Sequence, residues 1–415
     1  MTKYKYSFFL KNTDYNYSFF LKNTDMKYCN NCVMPDTKPD LTFDADGVCD
    51  ACRSYEKKHG DHNDNINWDE RKKEFDSIIA DTRKKSQSEY DCIVPVSGGK
   101  DSTYQVYFIK EICGLRPLCV CFEPTLPTKV GRQNLKMLNH LGVDLIHFKR
   151  NPIVYEKMVI ESFKRVGDNE WPNHVGIFTI PFQFAVRFNI PLLIYGECPQ
   201  QEYGGPTESR SAKYLNKDWL NNFGGLIGNR PEDMASEETG IDIEDLSMYI
   251  WPSDEDMERV GVKGLFLGYY FKWDMPKQLD IVKKLGWSTK IDRVETTYED
   301  YENIDCYSMH IHDYLKYLKF GFGRATDDAV RDLRNKLIDR NQALRLVEAY
   351  DGKYPIEAVR RFCRHFKMSQ DEFDNICNGF TNKSLFDTND GELVRDIDHS
   401  LVMKDKFRKL RRGTN

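Results

Sequence analysis

Residues 91–102 read DCIVPVSGGKDS. The first six form a short apolar run suited to a buried strand, and the glycines that follow end it. Residues 103–112, TYQVYFIKEI, carry mostly large apolar side chains with no internal breaker, which suits a helix. A strand, a glycine-rich loop and a helix in that order build an anion site. Gly98 and Gly99 let the backbone approach a phosphate, while free amides at the helix start face it. Ser97, Lys100 and Ser102 add donors, and Asp101 can hold a magnesium ion. The run is not a GxxxxGK[ST] loop, because position 94 is valine and Lys100 is followed by aspartate.

Downstream, residues 118–122, 143–148 and 190–195 read as strands, with helices at 133–141 and 178–188 between them. This alternation predicts a parallel α/β sheet with flanking helices. Ligands in such sheets bind beyond the carboxyl ends of the strands, where Ser97, Glu123 and Glu197 fall. Adenine and ribose are expected near residues 121–123. Residues 196–205, GECPQQEYGG, place Glu197 and Glu202 in a glycine-rich loop. Either carboxylate suits a substrate or proton contact; a lid hinge with solvated acids is the competing reading. Cys198 sits beside a proline with no histidine nearby, which favours a structural thiol over a nucleophile. His174, in WPNH ahead of an apolar helix, is a phosphate or substrate contact or a structural histidine.

Residues 209–265 read as an irregular insertion, and residues 269–274, YYFKWD, as a short ordered element near the substrate. KYLKFGFGRATDDAVR at 316–331 breaks at two glycines, which places Lys319 and Arg324 on a loop before a helix starting near Thr326. Thr326 is expected to cap that helix, with Asp327 and Asp328 in its first turn. Lys319 and Arg324 are candidates to clamp phosphates. From residue 332 onward the chain reads mostly as helix, ending in a basic segment.

Upstream, Cys29 and Cys32 form one CxxC pair and Cys49 and Cys52 another, sixteen residues apart. Two knuckles of this spacing assemble a tetrahedral S4 set that zinc favours, with no open position for catalysis. A module this small lacks a sufficient core, so the metal contributes much of its folding energy. Ahead of it, KYSFFLKNTD at 5–14 recurs as NYSFFLKNTD at 16–25. This duplicated extension is expected to be dispensable.

The division that follows is an extension at 1–25, a zinc module at 26–56, a helical linker at 57–88, a catalytic domain at 89–330 and a helical region at 331–415. The chain has 415 residues, 40% hydrophobic and 30% charged, with formal charge -5. Its mean hydropathy is -0.64 and its pI about 6.1. This balance describes a globular protein and argues against a general nucleic-acid binder. No stretch approaches the ~20 apolar residues of a membrane span. Twelve cysteines without a secretion signal predict a reducing cytoplasm.

SGGKDS resembles the signature of the ATP pyrophosphatases, which cleave between the α and β phosphates. That resemblance implies an adenine-nucleotide alpha-hydrolase-like sheet. The ordered set of CxxC…CxxC, IVPVSGGKDS, GIFTIPFQFAVRFNIPLLIYGE, EYGG and YLKFGFGRATDDAVRD resembles the N-acetyl sugar amidotransferases of surface-polysaccharide and nonulosonic-acid biosynthesis, over residues 26–355. The resemblance implies conversion of an acetamido into an acetamidino group at the expense of ATP, with ammonia supplied by a separate glutaminase paired with a cyclase-like subunit. It places ATP on Ser97, Gly98, Gly99, Lys100, Asp101 and Ser102, with Mg2+, and zinc on the four cysteines. Glu197, Glu202, Lys319 and Arg324 become the further active-site candidates. The family often has asparagine where this chain has Cys198. A homodimer is compatible with this reading, and no membrane partner is expected. The competing reading is a tRNA sulfurtransferase, which needs a reactive cysteine and a basic RNA track; another small-molecule amidating enzyme is a further alternative.

Overall fold

A computed structural model describes residues 26–60, 66–86, 88–197, 213–223, 225–226, 228–290, 292 and 294–413. At its centre, β1 (Cys92–Pro95) lies between β2 (Pro117–Phe122) and β4 (Leu192–Tyr195). With β3 (Asp144–Phe148), β5 (Tyr214–Leu215) and β6 (Lys263–Phe266), they form a six-stranded sheet of order β3-β2-β1-β4-β6-β5. Every neighbouring pair is parallel except β5 with β6. Ile93 stands opposite both Leu118 and Leu193, and all three are buried. The apolar run in the sequence is thus a central strand covered on both faces. The chain moves from β1 outward to β2 and β3, then returns to β4 on the other side. This reversal opens the binding crevice between the carboxyl ends of β1 and β4.

The helix after β1, α1 (Lys100–Tyr107), starts three residues earlier than its apolar run suggests. Its last turn passes into a wider turn over Phe108–Ile112. The earlier start puts Lys100 and Asp101 in the first turn. α2 (Trp171–Arg187) also exceeds its predicted span and takes His174 into its first turn, with Pro172 at a position where no amide partner is needed. It packs on β1, β2 and β4. A Cβ on Gly176 would lie 2.5 Å from the Phe122 ring, so glycine permits this close approach.

The irregular insertion expected at 209–265 is only partly irregular. β6, at its end, pairs with β4 through Leu193 and Gly264, and Leu265 and Phe266 are buried. Beyond it come α3 (Ser308–Phe320), α4 (Arg324–Arg334), α5 (Arg340–Tyr350) and the helices Ile356–Phe366, Gln370–Phe380 and Asp405–Arg412. A small hairpin of Thr388–Asn389 and Glu392–Leu393 interrupts the region read as helical.

The start of α4 corrects a second expectation. The helix begins at Arg324, with Gly323 at its cap position. Thr326 is inside it and donates its hydroxyl to Asp351 at 2.6 Å. Asp351 also accepts from the Gly323 and Thr326 amides, at 2.9 and 3.3 Å. The cap is therefore supplied across space by the residue after α5.

The four-cysteine segment packs directly on this region. Val33, Met34 and Ala51 share an apolar cluster with Phe322, Ala329 and Val330, and with Ala343, Leu344 and Val347 of α5. The linker helix Trp68–Lys85 docks through Phe75 on Tyr270 and Phe271, with ring centroids 5.5 and 5.2 Å apart. Among the described residues, no helix is long and apolar enough to cross a membrane.

Candidate active site at the phosphate loop

Gly98 adopts φ +89°, where a side chain is strained, and a Cβ there would lie 2.8 Å from the Gly131 carbonyl oxygen. Its carbonyl accepts from the Trp287 indole at 2.9 Å. Within the loop, the Gly99 amide donates to Ser97 Oγ at 3.2 Å and the Ser97 amide to Ser102 Oγ at 3.3 Å. Gly99 is the cap residue of α1 and makes no side-chain cap bond. No side chain at the cap position occupies the amides of the first turn, the arrangement an anion site requires.

Lys100 is nearly buried, with Nζ 2.6 Å from Asp101 and 2.9 Å from Glu302 Oε1. Burial acts to lower its pKa, but the two carboxylates outweigh that and hold it above the ordinary lysine value. Glu302 also accepts from Arg331 at 2.8 Å and pairs with Arg324. Asp328 meets the same two arginines, at 2.9 Å from Arg331 and 3.2 Å from Arg324. Burial would raise the Glu302 carboxyl, yet Lys100, Arg324 and Arg331 hold it well below the usual range. Asp328 is pushed up to about 6, because burial and neighbouring Glu302 exceed the help from its arginines. Three cations and four carboxylates thus converge at the mouth of the loop, since Asp332 lies 3.4 Å from Arg331.

Lys100, Asp101, Glu197, Trp273, Arg331 and Arg334 line a cleft that Met34 and Tyr55 of the four-cysteine segment also border. Of the residues singled out in the sequence, Lys100, Asp101 and Glu197 share this cleft, and Arg324 joins it through Glu302. Glu123 is at the end of β2, its carboxylate 3.7 Å from Arg150. Lys319 is not on a loop. It is buried in the last turn of α3, where Nζ donates to the Gly167 carbonyl at 3.0 Å, among groups gathered round Asp168 rather than Lys100. Glu202 and Cys198 lie outside the described residues. Glu302 and Arg331 were not singled out, and Asp328 only as a first-turn acid; for the last two the dense charge in ATDDAVRD at 325–332 was the available signal.

The sulfurs of Cys29, Cys32, Cys49 and Cys52 all lie within 4.8 Å of one another and are buried. Those of Cys32 and Cys49 are 3.8 Å apart, the ~3.8 Å edge of a tetrahedron with Zn–S bonds of ~2.3 Å. Backbone amides of Cys32, Cys49 and Cys52 point at Cys29 or Cys49 sulfur at 3.2–3.4 Å, which stabilises thiolate charge. Donor set and geometry fit a metal such as zinc. Arg334, which lines the cleft, reaches Cys49 Sγ at 3.9 Å.

Residues 295–399 match the C-terminal domain of WbpG-like lipopolysaccharide biosynthesis proteins. That stretch contains Glu302, Arg324, Asp328 and Arg331, so it provides the wall facing the phosphate loop. The chain is also 30% identical over 139 residues to the uncharacterized protein MJ1599 of Methanocaldococcus jannaschii, across 33% of this chain and 47% of that protein. The chain thus spans about half the length of that relative.

Proposed function

We propose that the chain is an ATP-dependent, AMP-forming amidotransferase that converts the acetamido group of an N-acetyl sugar into an acetamidino group in lipopolysaccharide or related glycan synthesis. The observation that carries this reading is Lys100 and the uncapped first turn of α1 facing a cleft whose opposite wall belongs to the WbpG-like stretch. The ATP phosphates would rest on the amides after Gly98, with Ser97 and Ser102 bracing the loop. Asp101, partly exposed at the mouth, would hold Mg2+, which neutralises phosphate charge.

An amide carbon is a poor electrophile and its oxygen a poor leaving group. The amide oxygen attacks the α-phosphorus, its P–O bond forms, and pyrophosphate leaves with the electron pair of the α–β bond. Lys100, with Arg324 and Arg331 behind it, offsets charge on that leaving group. Ammonia then attacks the imidate carbon and AMP departs. Nitrogen is drawn from a separate glutaminase and its cyclase-like partner. The four cysteines would hold zinc as a structural ion that fixes the Met34–Tyr55 wall.

A sulfurtransferase needs an activated thiol. Among the described residues outside the four-cysteine cluster, burial pushes the thiols of Cys92, Cys113, Cys119, Cys121, Cys306, Cys363 and Cys377 above their ordinary value. That disfavours the reactive thiolate in each of them, while Cys198 lies outside the described residues. Mass spectrometry after offering several N-acetyl sugars with ATP and ammonium tests the proposal. A product lighter by the difference between O and NH supports it, and a product carrying sulfur refutes it.

A further inference from the structure

The approach to α2 on the carboxyl side of the sheet carries a second polar cluster that no step above uses. His312 Nδ1 stands 2.9 Å from Asp168 Oδ1, and His174 Nδ1 stands 3.9 Å from Asp168 Oδ2. The two imidazoles meet edge to face at 5.2 Å. Glu170 Oε1 accepts from Thr125 at 3.3 Å and from Asn169 at 3.4 Å, and the Asn169 amide also donates to Ser308 Oγ at 2.7 Å.

What remains is one-sided. Glu170 Oε2, Asn169 Oδ1, Asn173 Oδ1 and His174 Nδ1 are shielded from solvent and have no hydrogen-bond partner. Asn169 and Glu170 are wholly buried. The two amide oxygens are acceptors, and so is Glu170 Oε2 once its carboxyl is ionised. Burial, working against Asp168, holds His174 neutral with its pKa down to about 4. An unsatisfied buried acceptor is costly, and several at the start of one helix call for a donor.

The deficit is of donors rather than of positive charge. Asp168 already faces His312 and Lys319, and burial pushes the Glu170 carboxyl up to about 7. A cation gains little there. The occupant is also small, because Gly225 closes over His174 so tightly that a Cβ would sit 3.1 Å from Nδ1.

We propose that Asn169, Glu170, Asn173 and His174 form a subsite for neutral ammonia, which identifies where the nitrogen nucleophile waits. This rests on the amidotransferase reading for the identity of the reactant. The cluster is placed to serve it: residues 302–308 run from Glu302 at Lys100 to Ser308 at Asn169.

Histidine-labelled, zinc-loaded full-length protein tests the site without ATP or sugar. The His174 and His312 imidazole resonances are followed as ammonium chloride or potassium chloride is added at fixed ionic strength and one mildly alkaline pH. The expected result is a saturable shift with ammonium and none with potassium, weakened about tenfold in Glu170→Gln. An equal response to potassium marks a cation site and overturns the proposal. No response to either salt marks a structural water only and overturns it too. The wild-type comparison stands even if the variant fails to fold. An ammonium-specific shift in a protein that forms no AMP would retain the site while the reaction assignment fell.

Discussion

The Lys100 ammonium lies 2.9 Å from the Glu302 carboxylate, across 202 residues of sequence, and both are nearly buried. This contact joins the phosphate loop to the WbpG-like stretch. It also makes Glu302 a hub, since Arg331 and Arg324 share the same carboxylate.

Replacing Glu302 with glutamine removes the one carboxylate that Lys100, Arg324 and Arg331 all share. Breaking a buried ion network from one side costs about 3–5 kcal/mol. Urea unfolding of Glu302→Gln is expected to show a loss of that order.

Lys100→Ala takes one of three cations from a cluster of four carboxylates, so some loss of thermal stability should accompany the loss of catalysis. Loss of one charge-stabilising donor at the reacting phosphates typically costs about 10²–10³-fold. A drop of that size in kcat/KM for ATP is expected from initial-rate measurements.

Gly98→Ala should be damaging twice over. The left-handed backbone costs about 1–3 kcal/mol for a non-glycine residue, and the new Cβ meets the Gly131 carbonyl at 2.8 Å. Calorimetry is expected to show weakened nucleotide binding in the folded fraction.

Stripping metal from the four cysteines should unfold the Met34–Tyr55 wall, because its apolar contacts to Val330 and Val347 depend on the closed knuckles. Chelation under mild denaturant, or Cys49→Ser, is expected to lower thermal stability and ATP affinity together. Metal analysis should give one zinc per chain before treatment.

The Glu170 carboxyl has a definite sign in pH-dependent stability. Its pKa is raised in the folded state from 4.5 to about 7, chiefly by burial. The folded protein therefore binds this proton more tightly than the unfolded chain. That contribution is fully present below about pH 4.5 and is lost as pH rises through about 7. Asp168 is held well below the usual range and changes only in stronger acid. The difference in unfolding free energy between wild type and Glu170→Gln should therefore vary with pH across that window and level off outside it.

Local spacing made part of this site legible. The S4 set and the strand–loop–helix at 91–112 are written in contiguous residues, and the parallel sheet follows from the alternation of apolar runs. Glu302 was hidden because Lys100 lies 202 residues away, and Asp328 and Arg331, three residues apart, read by charge alone as a solvated helix face. Lys319 looked exposed because its neighbouring glycines suggested a loop, whereas the first of them, Gly321, only ends α3. β6 escaped because four residues beginning with lysine make a weak strand until β4 pairs with them. Thr326 looked like a cap until Asp351, remote in sequence, took that role.

The most direct test follows ATP labelled separately at the α and γ phosphates, incubated with the protein, an N-acetyl sugar acceptor and ammonium. Cleavage beside the α-phosphorus predicts labelled AMP from the first and labelled pyrophosphate from the second. Labelled ADP and free phosphate would contradict the account.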